Sequence, residues 1–281
     1  GSSLLGVNES TTVLDAAPEI INDYTPFYAQ AYFEYDTKKS YGITKSHLRF
    51  GPKPIRGSYY VKSADFVACH NQTYVNRYDI VDEIKPGGIF LLNCVWKPDE
   101  LEKQLPAKVR RLLARNHIRF FTIDATKIAG ELGLGNRTNT VLQAAFFALT
   151  SIIPLDEALG CLKDAAKKTY FKKGQEIVDL NIAAIDAGAS GAVEIPVPEN
   201  WADAQDENTP QPKLIDAVKD ILIPITSQHG DDMPVSVFTK YADGHIDMGL
   251  TAYEKRGIAT AVPKWDAEKC IQCNRCSLVC P

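Results

Sequence analysis

The residues with the strongest claim to chemistry stand at the end of the sequence: Cys270-Ile-Gln-Cys273-Asn-Arg-Cys276-Ser-Leu-Val-Cys280-Pro281. Iron–sulfur clusters take soft, anionic thiolate ligands. A C-x2-C-x2-C-x3-C-P run brings three thiols around one cubane, while its fourth cysteine ligates a second cluster. The spacing therefore points Cys270, Cys273 and Cys276 at one [4Fe-4S] cluster and Cys280 at another. A zinc ribbon would instead set two C-x2-C pairs across a longer loop.

Two further groups suit an anionic ligand. Lys38-Lys39-Ser40 follows an extended stretch and precedes Gly42, so two ammonium groups and a hydroxyl meet at a strand end, where α/β folds hold ligands. A solvated turn is the plain alternative. Gly133-Leu-Gly135-Asn-Arg137-Thr-Asn139 opens an apolar helix, with Arg137 and Asn139 as donors beside its N-terminus; simple helix capping would leave the same trace. Other reactive side chains read as structural. Cys69, Cys94 and Cys161 sit in apolar runs without metal spacing. His47 alternates with apolar neighbours, as a satisfied sheet histidine does. His70 follows a strand and could face a cleft, yet no nucleophile accompanies it. Lys255-Arg256 suits either domain docking or a solvated pair.

Elements must position these groups. Residues 28–33 and 43–50 read as strands from their aromatic and β-branched content. Continuous apolar runs at 65–69, 89–94 and 118–123 suit strands covered on both faces. Between them, 73–84, 99–116 and 126–132 have helical spacing, and 138–155 and 156–187 read as further helices. Pro86-Gly87-Gly88 reads as a stop between a helix and the strand at Ile89. This alternation predicts a doubly wound, mainly parallel α/β sheet with flanking helices. Four prolines between Pro196 and Pro212, among acids and amides, predict an exposed linker and a domain boundary near Asn200.

Composition narrows the classes. In 281 residues, 45% are hydrophobic and 23% charged, which excludes disordered, collagenous and disulfide-rich small folds. A net charge of −4 gives no global field toward nucleic acid or anionic lipid. The longest uncharged stretch, 138–155, falls short of a membrane span. Gly1-Ser2-Ser3 starts no signal peptide, so seven cysteines are expected in a reducing cytoplasm. A cysteine cluster this near Pro281 suggests a piece of a longer polypeptide.

The remaining sequence resembles one family. Tyr32–Ser40, Ser46–Gly51, Ala64–His70 and Lys85–Asn93 look like the central part of pyruvate:ferredoxin (flavodoxin) oxidoreductase. Thr251–Ala259, with Glu254-Lys255-Arg256, is similar to the segment before that family's ferredoxin domain. The resemblance implies three parts: residues 1–198 as a coenzyme A-binding α/β domain, 199–259 as a linker with the Glu-Lys-Arg segment, and 260–281 as the start of a [4Fe-4S] ferredoxin-like domain. It also implies oxidative decarboxylation of pyruvate to acetyl-CoA, with ferredoxin or flavodoxin as acceptor and a homodimeric whole. Thiamine diphosphate and Mg would sit in domains outside this piece, which would then hold no catalytic residue and lack activity alone. Lys38, Ser40, Arg137 and Asn139 become the expected coenzyme A contacts. A related 2-oxoacid oxidoreductase, or a non-catalytic docking module for an electron carrier, are the alternatives. The family's glycine-rich opening loop is poorly matched by Gly1–Glu9, where Glu9 replaces a lysine and would repel phosphate.

Overall fold

A computed structural model of the chain describes residues 2–8, 16–36, 42–206, 214–254 and 262–279. A seven-stranded sheet has the order β2-β3-β1-β4-β5-β6-β7. Its strands are β1 (Ser2–Asn8), β2 (Tyr28–Tyr35), β3 (Thr44–Gly51), β4 (Ala64–Cys69), β5 (Ile84–Asn93), β6 (Arg119–Ile123) and β7 (Val193–Ile195). The central run β1, β4, β5 and β6 is parallel, whereas β2, β3 and β7 pair antiparallel at the two sides. The sheet is thus mixed, with a parallel centre and antiparallel sides, within the expected α/β class.

Both faces are covered, as continuous apolar strands require. On one face α1 (Ala16–Tyr24), α4 (Ala125–Glu131), α5 (Asn139–Thr150), α6 (Leu155–Tyr170) and α7 (Gln175–Gly191) pack on Leu48, Phe66, Leu91 and Phe121. On the other, α2 (Leu101–Gln104), α3 (Ala107–Arg115) and Trp201 pack with Val67, Phe90, Leu92 and Phe120. Chain chemistry marks the breaks. Pro106 divides the expected helix 99–116 into α2 and α3, since proline cannot donate within a helix. Gly174, with φ 101°, separates α6 from α7. Asp156 and Glu157 at the start of α6 and Lys167 and Lys168 at its end complement the helix dipole.

Four expectations are corrected. Residues 73–84 form two 3-10 turns, Gln72–Asn76 and Val81–Glu83, because the Asn71 side chain caps Thr73 and seats Tyr74 and Val75 in the core. Pro86-Gly87-Gly88 ends no helix. It lies inside β5 at a bulge, where Gly87 takes φ 74° and its N–H reaches the Asn116 carbonyl. Residues 2–8 are not a loop but a strand in the heart of the sheet, while Glu9 lies outside the described residues. Finally, the described part of the expected linker, 196–206, is exposed along most of its length but is not free, while 207–212 lie outside the described residues. Trp201 is 3% exposed, Arg111 donates to the Ala204 carbonyl and to Asp206, and Arg115 donates to the Ala202 carbonyl, so the segment is fastened to α3.

Beyond it, a π-helical turn (Val218–Leu222) runs into α8 (Ile223–Thr226). Pro224 cannot donate to the Asp220 carbonyl, and the wider turn accommodates that gap. Chain 230–253 forms only 3-10 turns, and α9 (Arg275–Val279) is a five-residue helix. Among the described residues no helix is long and apolar enough to cross a membrane.

Candidate functional site

Parallel strands place their carboxyl ends on one edge. Here that edge gathers the ends of β1, β2, β4, β5 and β6, because β2 runs parallel to β1 two places away. From β1 the chain continues through α1, on one face, to β2; from β4 it continues over the other face to β5. The crevice between the ends of β1 and β4 is therefore the topological switch point, where open α/β sheets take ligands.

A polar lattice stiffens this edge. Asn93, at the end of β5, donates from Nδ2 to the His70 carbonyl after β4 (3.0 Å) and accepts at Oδ1 from Ala125 N–H at the start of α4 (2.9 Å). The Gln72 side chain accepts from Val95 N–H (2.9 Å), and Asp124 caps α4 by accepting from Lys127 N–H. One amide thus ties three strand ends. His70 sits at the crevice itself: burial pushes its pKa down to about 4, and its buried Nδ1 has no hydrogen-bond partner among the described residues. Beside it, burial pushes the Cys69 thiol up to about 12 and the Cys94 thiol to about 11, so both are inert neutral core groups. His47 is satisfied as expected, accepting from Val61 N–H at Nδ1 and donating from Nε2 to Glu34. Asn93 and Gln72 escaped the sequence reading. The signal was available as amides at the ends of apolar runs.

The expected anion-binding residues divide between two parts of this architecture. Lys38 and Ser40 lie outside the described residues, in the β2–β3 connection, which returns at the carboxyl edge where Asp36 N–H bonds the Ile43 carbonyl (3.0 Å). Arg137 is exposed on the α4–α5 loop, which is shaped by Gly133 (φ 80°) and Gly135 (φ 62°), and Asn139 is the first residue of α5. Four strand spacings separate β3 from β6, which carries the α4–α5 unit, or about 19 Å.

In the cysteine run, Gln272 (φ 55°) and Asn274 (φ 57°) turn the chain between the thiols, and α9 begins just before Cys276. Cys270 is partly buried and Cys273 and Cys276 are exposed and free; Cys280 lies outside the described residues. The thiol of Cys270 is held below the usual thiol range by the Gln272 N–H and then the Trp265 indole N–H, both aimed at its sulfur. Such N–H···S donation favours the thiolate a metal requires, so the donor set fits an iron–sulfur cluster. Among the described residues no three metal-binding side chains are yet gathered around one point.

Comparison with known proteins agrees with this layout. Residues 19–191 match the pyruvate ferredoxin/flavodoxin oxidoreductase domain family, more than half of the chain. The chain belongs to this family. Residues 204–259 match a domain of unknown function labelled EKR, and 262–281 a 4Fe-4S binding domain. The chain is 51% identical over 267 residues to pyruvate:ferredoxin oxidoreductase of Moorella thermoacetica, covering 94% of this chain and 22% of the relative. It is 48% identical over 277 residues to pyruvate-flavodoxin oxidoreductase of Enterobacter agglomerans, covering 99% and 24%. The chain thus spans about a quarter of the length of these relatives. In fold it resembles a pyruvate oxidoreductase subunit of Thermotoga maritima, with TM-score 0.53 at 20% identity over 68% of this chain and 97% of that one.

Proposed function

We propose that the chain is the central segment of an enzyme that converts pyruvate and coenzyme A to acetyl-CoA, CO2 and a proton, releasing two electrons to ferredoxin or flavodoxin. The observation that carries this reading is the order of the matches: an oxidoreductase domain over 19–191 followed, in the same chain, by a 4Fe-4S domain over 262–281. In this reading 1–198 is the coenzyme A domain, 199–259 the connecting segment and 260–281 the start of the electron-transfer domain. The whole is a cytoplasmic homodimer, with thiamine diphosphate and Mg held by parts of the longer polypeptide.

Cys270, Cys273 and Cys276 would hold one [4Fe-4S] cluster and Cys280 a second. Such clusters, when bound, supply one-electron steps. The chain's own part is to present thiolates, stabilised at Cys270 by the Gln272 and Trp265 N–H groups. Coenzyme A, as substrate, would lie along the carboxyl edge. Lys38 and Ser40 would meet it at the β2–β3 connection, and Arg137 and Asn139 at the start of α5. The spacing between β3 and β6 suits a long, jointed ligand. Arg137 offers a planar fork to phosphate, whereas Lys38 offers a point charge.

In the full-length enzyme, Arg137→Ala is expected to raise KM for coenzyme A at least tenfold and leave KM for pyruvate unchanged. Cys276→Ala should remove one cluster's iron and sulfide under anaerobic conditions. Unchanged KM would strike Arg137 from the site, and unchanged metal content would overturn the ligand assignment.

A further inference from the structure

At the opposite edge of the sheet, the connection between β3 and β4 borders an open cleft of about 820 Å³, within the size range of small-molecule sites. It is a strand's length from the carboxyl edge, about 20 Å or more for six to eight residues. Both flanking strands pair with β1, so the ends of this twelve-residue connection lie about 10 Å apart, two strand spacings. A compact loop with close ends is an Ω-loop, a form that often binds. Pro52 and Pro54 fix two of its φ angles in advance.

The lining is divided by chemistry. Phe50 and Val61 are buried and form an apolar floor with Ile55. Arg49, Lys53 and Lys62 supply positive charge, and Arg56 adds a fourth cation on the same loop. Between Arg49 and Ser63 there is no acidic residue, in a chain whose net charge is −4. Among the described residues none of these four cations forms an ion pair. Arg49 is instead fixed by neutral partners: it donates to Gln30 Oε1 (3.2 Å) and to the Tyr59 carbonyl, and its guanidinium lies 4.4 Å from the Tyr59 ring centre. Tyr59 is 71% exposed, a flat ring at the mouth. Three lining cations without an acidic partner, with Arg56 on the same loop, form a field with no internal purpose, since their mutual repulsion costs stability.

We propose that this cleft is a binding site for a small organic anion, with a flat apolar body on the Phe50–Val61 floor and a phosphate or carboxylate group among Arg49, Lys53 and Lys62. The site is independent of the coenzyme A reading, because it lies on the other edge of the sheet and shares no residue with it.

The test is lysine acetylation of the 281-residue chain, read by mass spectrometry at Lys53 and Lys62 with Lys172 as the internal reference. Four probes are compared at equal concentration: AMP and 4-hydroxybenzoate (ring plus anion), adenosine (ring alone) and pyrophosphate (anion alone). AMP or 4-hydroxybenzoate should slow acetylation of both lysines at least threefold, beyond either partial probe; which one succeeds distinguishes phosphate from carboxylate. Calorimetry should then show at least tenfold weaker binding for the Lys53→Ala/Lys62→Ala double variant, whose exposed positions leave folding intact, and unchanged binding for Arg137→Ala. The proposal fails if neither ring-bearing anion protects, if adenosine or pyrophosphate protects equally well, or if the double variant binds as the wild type does.

Discussion

Replacing Asn93 isolates the lattice at the carboxyl edge. Its amide orientation is fixed from both sides, since Oδ1 faces a donor, Ala125 N–H, and Nδ2 faces an acceptor, the His70 carbonyl. Ala125 N–H is one of the first donors of α4 and is buried, so in Asn93→Ala it loses its partner where water does not replace it, at about 1–3 kcal/mol. The His70 carbonyl bond is only partly buried, and its loss adds about 0.5–1.5 kcal/mol. The expected total is near 3 kcal/mol. Asn93→Asp keeps the acceptor for Ala125 and places a negative charge near the N-terminus of α4, which recovers about 0.3–1 kcal/mol. It still forfeits the donor to His70 and turns a carboxylate oxygen toward that carbonyl, a repulsion that offsets the gain at the helix, so its loss should be near 1 kcal/mol. Urea unfolding at pH 7, with unchanged m-values, measures both. Hydrogen exchange at the Ala125 amide should accelerate in the Ala variant and stay protected in the Asp variant. A loss below 0.5 kcal/mol in Asn93→Ala, or equal losses in the two variants, would refute the reasoning.

Further outcomes follow from the packing and the titrating groups. At Gly188 a Cβ would come within 2.3 Å of the Val141 carbonyl oxygen, so Gly188→Ala should lower stability by about 2 kcal/mol despite its helix-propensity gain of about 1, measured as a lower Tm. An equally stable variant would mean that α5 and α7 do not touch there. His70, with its pKa pushed down to about 4, should stay neutral at pH 7 by NMR. Its contribution is intact above pH about 6.5 and falls by up to about 3 kcal/mol as pH drops toward 4, because the unfolded chain takes the proton first. His70→Gln should flatten that acid slope, and an unchanged slope contradicts the assignment. His229 is raised above the ordinary histidine range by Asp232 and then Asp79, the latter also bound to Lys108. This contact holds below pH about 6.5 and fades as pH rises through the raised value. Asp79→Asn should lower the His229 midpoint in an NMR titration, and an unmoved midpoint would exclude the pair.

Sequence reading succeeded where physical periodicity is local. The runs at 65–69 and 118–123 are strands because an apolar stretch between two covered faces has no other stable use, and α5 and α6 follow from their charge and apolar patterns. It failed where tertiary partners decide. Gly87 and Gly88 read as punctuation, yet their freedom serves a bulge against β4. Residues 196–206 read as a linker from their acids and prolines, but α3 buries Trp201 and Arg111 pairs with Asp206. β1 was missed because Leu4-Leu5-Gly6-Val7 is short and its neighbours in the sheet, β3 and β4, lie some forty and sixty residues further along the chain. In the candidate site, the thiol spacing was legible and the N–H donors to Cys270 were not, since hydrogen-bond direction leaves no trace in residue order.

The cysteine segment has a consequence for how the protein is made. Trp265, Ile271, Leu278 and Val279 are each at least 70% exposed, and α9 is far too short to persist on its own propensity. Chain 262–279 therefore has almost no cohesion of its own, while the sheet domain is closed on both faces. A structure that gathers its thiols only when metal arrives takes its folding energy from ligation. Assembly should then proceed in two unequal stages: an α/β body that completes itself during synthesis, and a cysteine segment whose shape waits on iron supply. In a cell short of iron, the protein would accumulate with a finished core and an unfinished, protease-sensitive cysteine segment.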